Sequence, residues 1–194
     1  MEAVADPEAV EFDETPAPPT SPVARALTPW LGFVLAMIGL IWASGLLVDF
    51  GVTLITEQVI CAIIGLSFAI IYLNVPAKGK GRNRVPWYDG LAALVGLLTG
   101  IYLFFRYPVL LEEVFFLQVE ANIVGGILIL LTGEALRRTA GMGIFCILLV
   151  FAAYGLLGHL IPGPLQGRSL EPGRFFGFLG IDTTGLLGLP VNII

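Results

Sequence analysis

ALTPWLGFVLAMIGLIWASGLLV, residues 26–48, carries no charged side chain. A hydrocarbon core about 30 Å thick is crossed by roughly 20 mostly apolar helical residues, so this stretch, bounded by Arg25 and Asp49, reads as one complete membrane span. The reading extends along the chain, because no charge occurs between Glu57 and Lys78, between Asp89 and Arg106, or between Arg138 and His159. A further stretch, Ala121 to Leu136, qualifies only with Glu134 near a membrane face. It is the weakest of the five. The expected fold is all-α, a polytopic integral membrane helical bundle with about five transmembrane helices. Composition agrees: 57% hydrophobic and 13% charged residues in 194 leave too little polar surface to clothe a water-soluble globule, so the lipid bilayer must cover much of it.

The formal net charge of -5 resides in the amino-terminal tail, where Glu2, Asp6, Glu8, Glu11, Asp13 and Glu14 face only Arg25. The remainder is balanced and lacks the basic patch that nucleic acid requires. The tail, residues 1–28, includes Pro16, Pro18, Pro19 and Pro22 and reads as a disordered acidic extension. Signal peptides begin basic and then turn apolar, which this tail does not.

Cytoplasmic loops carry the excess of Lys and Arg, and here the loops alternate. Arg25, then Lys78, Lys80, Arg82 and Arg84, then Arg137 and Arg138 fall on one side. Asp49 and Glu57, then Arg106 with Glu112, Glu113 and Glu120, then the connection holding His159, Arg168, Glu171 and Arg174 fall on the other. A cytoplasmic amino terminus follows. Several Trp and Tyr residues, Trp30, Trp87 and Tyr88 among them, sit where an interfacial belt would place them, whereas Trp42 lies too deep in its span. The apolar positions Val109, Leu110, Val114, Phe115 and Leu117 beside Glu112 and Glu113 predict an amphipathic helix on the outer interface over 107–120.

Candidates for chemistry are few. Cys61 and Cys146 stand alone inside spans two and five, without the spacing of a metal or redox pair. His159 has no carboxylate or Cys partner at helical spacing, and no nucleophile with a base occurs. Catalysis, cofactor and metal are therefore not expected. Glu134 is the one ionisable residue that could lie at membrane depth, which makes it a functional candidate by default. Arg137 at i+3 and Arg138 at i+4 offer the alternative, an interfacial ion pair that fixes the end of span four. Small residues at Gly32, Ala36, Gly39 and Ala43, and at Gly125, Gly126 and Gly133, allow close helix contacts.

Four ordered motifs resemble a known family: VPWYDG at 85–90, GEALRRTAG at 133–141, FAAYGLLGHLIPGPL at 151–165 and GRSLEPGRFFGFLGIDTTGLLGLPV at 167–191. Together they resemble the amino-terminal part of a fused permease of a tripartite ATP-independent periplasmic (TRAP) transporter, in which small and large membrane subunits are joined. Residues before Val85 match only in pattern, as two spans ending in a basic loop. The family's large subunit continues for many more spans past the Leu-Gly-Leu-Pro run, so this chain alone is expected not to transport. It also reads Ile181-Asp182-Thr183-Thr184-Gly185 where the family more often places its acidic residue after the threonines.

The resemblance implies a small-subunit-like region at 29–139 and, at 140–194, a linking helix with the beginning of the large-subunit-like region. It implies a secondary transporter component of the bacterial inner membrane that supports sodium-coupled uptake of a small carboxylate solute. The implied partners are a periplasmic solute-binding protein and the remainder of the large permease subunit. The small-subunit region would be a scaffold against which a substrate-carrying part moves. The carboxy-terminal segment, apolar but interrupted by Asp182, Gly185 and Pro190, would be a re-entrant element with Thr183 and Thr184 near the transport pathway. The alternative for that segment is a frayed interfacial tail, and for the protein a structural or assembly role in the membrane unrelated to transport.

Overall fold

The computed structural model describes residues 21–77, 85–112, 118–160 and 179–180. The elements are α1 (Pro22–Ala43), the single turn α2 (Leu46–Asp49), α3 (Thr56–Asn74), α4 (Trp87–Glu112), α5 (Gln118–Thr139) and α6 (Gly141–Leu157), with a 3-10 turn at Gly158–Leu160. Among the described residues no strand occurs, and the chain is an all-α bundle. Four helical segments, Pro22–Ala43, Thr56–Asn74, Trp87–Leu110 and Val119–Thr139, are long and apolar enough to cross a membrane. The Ala121–Leu136 stretch thus belongs to a full-length span. The fifth expected span, α6, is apolar throughout but 17 residues long, at the short limit for crossing.

Helix ends follow local chemistry. α1 opens at Ser21-Pro22: the Ser21 hydroxyl accepts from the Ala24 N–H at 3.2 Å, and Pro22 takes the first helical position, where its missing donor costs nothing. Residues 22–28, read from the sequence as part of the disordered tail, are therefore helical. A good cap outweighed the proline count. At the head of α3, Gln58 reaches back to accept from the Ile55 N–H at 3.0 Å, while its own amide donates to the Phe104 carbonyl of α4 at 2.8 Å. Gly45 and Gly51 bracket α2 with left-handed backbone, φ 70° and 76°, which glycine adopts without a Cβ clash.

The most extensive packing joins α3 to α4. A Cβ on Gly65 would lie 2.8 Å from Gly100 Cα, one on Gly100 would lie 2.8 Å from the Cys61 carbonyl oxygen, and one on Gly96 would lie 2.6 Å from Phe68 Cβ. None could exist without moving a helix. Gly96 and Gly100 form the Gly-x-x-x-Gly spacing that lets helix backbones meet. Around this seam Phe68, Tyr72, Leu103, Tyr107, Leu110 and Leu128 are buried. By contrast Gly32, Gly39 and Gly126 face open space, so these members of the stripes singled out from the sequence in α1 and α5 make no close contact. Gly180 lies against the Gly125 backbone of α5.

The amphipathic helix expected over 107–120 is not a separate element. Residues 107–112 continue α4 and 118–120 open α5; Tyr107 and Leu110 point into the core, both 0% exposed. At the described positions of this segment, Tyr107 and Leu110 face the neighbouring helices rather than the interface. Residues 113–117 lie outside the described residues.

The periphery is apolar. α1 buries only Ala24 and α6 buries nothing. Phe33, Leu40, Phe105, Leu130, Val150 and Phe151 all face outward. Such a surface suits hydrocarbon, in which only backbone-satisfied helices or closed barrels can be solvated.

Candidate functional site

One end of the bundle gathers the last turns of α3 and α5 and the first turn of α4. Antiparallel neighbours bring opposite helix termini together, so the negative carbonyl ends of α3 and α5 lie beside the positive amide end of α4. The sequence places charge to suit: Asp89 is in the first turn of α4, and Arg137 and Arg138 are in the last turn of α5.

Arg138 is the hub. Its Nη1 lies 2.8 Å from Asp89 Oδ1, with the two side chains 4% and 0% exposed. Its Nε donates to Glu134 Oε1 at 2.8 Å. Nη1 also reaches the Val75 carbonyl at 3.2 Å, one of the terminal carbonyls that α3 cannot satisfy internally. The guanidinium carbon stands 4.7 Å from the centre of the Tyr72 ring, within cation–π range. Tyr72 is itself fully buried, and its hydroxyl donates to the Leu131 carbonyl at 2.8 Å. One side chain thus joins three helices. A guanidinium suits this task because its planar fork presents several donors in fixed directions.

Glu134 accepts from Arg137 through both oxygens, from Nε and Nη2 each at 2.7 Å, in addition to Arg138. The pairing expected along one helical face at i+3 and i+4 is therefore formed, within two turns of the end of α5. Asp89 and Tyr72 were missed from the sequence. Asp89 stands inside VPWYDG and Arg138 inside GEALRRTAG, so two motifs far apart in the chain meet in a single ion pair. The available signal was a lone carboxylate at the edge of one charge-free span opposite a lone basic pair at the edge of another. At the same end Thr28 and Asn74 tie α1 to α3, the Asn74 amide donating to the Thr28 hydroxyl at 2.9 Å.

The opposite end has a second polar group. Arg106 Nε donates to Glu120 Oε1 at 3.2 Å with side chains 41% and 23% exposed. The Tyr102 hydroxyl donates to the same carboxylate. Asp182, Thr183 and Thr184, the remaining candidates, lie outside the described residues. Cys61 is buried and Cys146 exposed, and His159 meets the Leu156 carbonyl at 3.2 Å. Among the described residues no three His, Cys, Asp or Glu side chains cluster as metal ligands would.

No protein-family model, no curated protein and no solved structure matches this chain.

Proposed function

We propose that the chain is a membrane scaffold component of a TRAP-type secondary transporter, seated in the bacterial inner membrane with its amino terminus cytoplasmic. The observation that carries the scaffold role is where the ionic contacts sit. The Asp89–Arg138–Glu134–Arg137 network and the Tyr102–Arg106–Glu120 group lie towards opposite ends of the bundle, and the stretches between them are uncharged. Helices that carry ions expose ionisable groups at mid-depth; helices that anchor do not need them. The four ordered motifs support the transporter assignment, and the basic loops support the orientation. On this reading the ionic hub holds a static wall, transport itself belongs to other segments, the solute is a small carboxylate driven by sodium, and no catalysis occurs.

Proteoliposomes test the role. The chain alone should show no uptake under an inward sodium gradient, with or without a solute-binding protein. Combined with large-subunit permease segments and that binding protein, it should restore sodium-dependent uptake. Uptake that is undiminished when this chain is left out would overturn the proposal. Orientation is tested by single cysteines at Asn83 and Gln166 in a background with Cys61 and Cys146 replaced. Asn83 should react only from the cytoplasmic side and Gln166 only from the periplasmic side; labelling of both from one side would refute the topology.

A further inference from the structure

A groove of about 320 Å³ opens between α1, α3 and α4 at the end away from Arg138, and Ile38, Trp42, Leu54, Val59, Ala62 and Phe105 are among the apolar residues that line it. Its volume lies in the range of small-molecule sites, about 300–1,000 Å³. Apolar walls offer water no hydrogen-bond partners, and the groove opens on helices that read as membrane spans. Trp42, too deep for an interfacial belt, instead forms part of its wall. The charge around it is one-sided. Asp49 follows the lining residue Leu47 by two positions and Glu57 follows Leu54 by three, and no basic residue occurs between Arg25 and Lys78. Arg106 follows Phe105, but it is engaged by Glu120.

We infer that this groove holds one acyl chain of a phospholipid with a primary ammonium headgroup, the ammonium set towards Asp49 and Glu57. An anionic headgroup would meet like charge there, which disfavours it. The inference requires only that the chain spans a membrane and is independent of the transport assignment.

Trp42 provides the readout. Trp30 and Trp87 are 70% and 80% exposed, so Trp30→Phe with Trp87→Phe leaves one tryptophan, excited apart from tyrosine at the red edge, at little structural cost. The full-length variant is reconstituted in vesicles containing a small fraction of acyl-brominated phosphatidylethanolamine in phosphatidylglycerol, or the reverse. Saturable quenching with a several-fold preference for the brominated ethanolamine lipid is expected. Adding Ala62→Phe, which fills the groove, should abolish that preference, while Leu130→Phe on an exposed face should retain it. Circular dichroism of each variant establishes that the helices are intact. Equal quenching by both lipids in proportion to their mole fraction would reduce the groove to ordinary lipid-facing surface and overturn the inference. A Trp42 quenched by neither would mean that protein fills the groove, which overturns it equally.

Discussion

The two ends of the bundle solve the same problem with different burial. At one end Asp89 and Arg138 are sealed from solvent, and the arginine also serves Glu134, a helix-terminal carbonyl and an aromatic face. At the other, Arg106 and Glu120 form a comparable ion pair with the side chains partly accessible. Coulomb attraction between exposed charges is screened, and such pairs contribute little. A buried pair is different in kind, because removing one partner leaves the other as an uncompensated charge. The comparison teaches that similar ion pairs can have unequal structural weight. Only the first can hold three helices in register.

The most severe way to break this contrast is to remove one member of the buried pair. Arg138→Ala or Asp89→Ala should each destabilise the bundle by about 3–5 kcal/mol, measured by unfolding in mixed detergent micelles. The double variant should fall well short of the sum, because the two residues share one interaction. If either single change is as mild as one at Glu120, the contrast fails.

Arg138→Lys asks whether charge or geometry matters. Lysine keeps the charge but carries its donors on one nitrogen, whereas Arg138 reaches Glu134 through Nε and Asp89 and the Val75 carbonyl through Nη1. Loss of one charged hydrogen bond, about 1.5–3 kcal/mol, is the expected cost. A lysine variant as stable as the parent would reduce the hub to a point charge.

Gly100→Val tests the seam between the ends. Its Cβ has no room against Gly65 and Cys61, and overpacking of this kind costs about 1–3 kcal/mol. Coupling to Arg138→Ala beyond simple additivity would show that the seam sets the geometry of the buried end. Additive effects would make the two independent.

The smallest effect is expected at the exposed end. Glu120→Gln or Tyr102→Phe should leave the unfolding midpoint within experimental scatter at physiological salt, and raising the salt should abolish any difference seen at low ionic strength. A large, salt-insensitive loss would show that this end is also desolvated.

Much of this was legible in the chain. The charge-free stretches and their boundaries fixed helices able to span, because the length and apolarity needed to cross a bilayer are local properties. Glu134 with Arg137 and Arg138 was equally readable, since residues three and four apart on a helix are neighbours wherever the helix lies. The start of α1 was missed because prolines suggested disorder while the Ser21 cap and Pro22 favoured helix. Tyr107 and Leu110, read from the sequence as part of an interfacial helix, lie in the core instead, since helical periodicity shows that a face is apolar and not what covers it.

Tertiary structure decided the rest. That Asp89 meets Arg138, that Tyr72 lies beneath the guanidinium, and that Gly65, Gly96 and Gly100 form the close seam between α3 and α4 all depend on which helix faces join. The Gly-x-x-x-Gly spacing at 96–100 was present in the sequence, but so were other small-residue stripes, and composition does not rank them. Sequence alone determined that helices form and where charge can reside along each. Only packing determined which charges lose water and which helix backbones touch, because both depend on residues distant in the chain arriving at the same place.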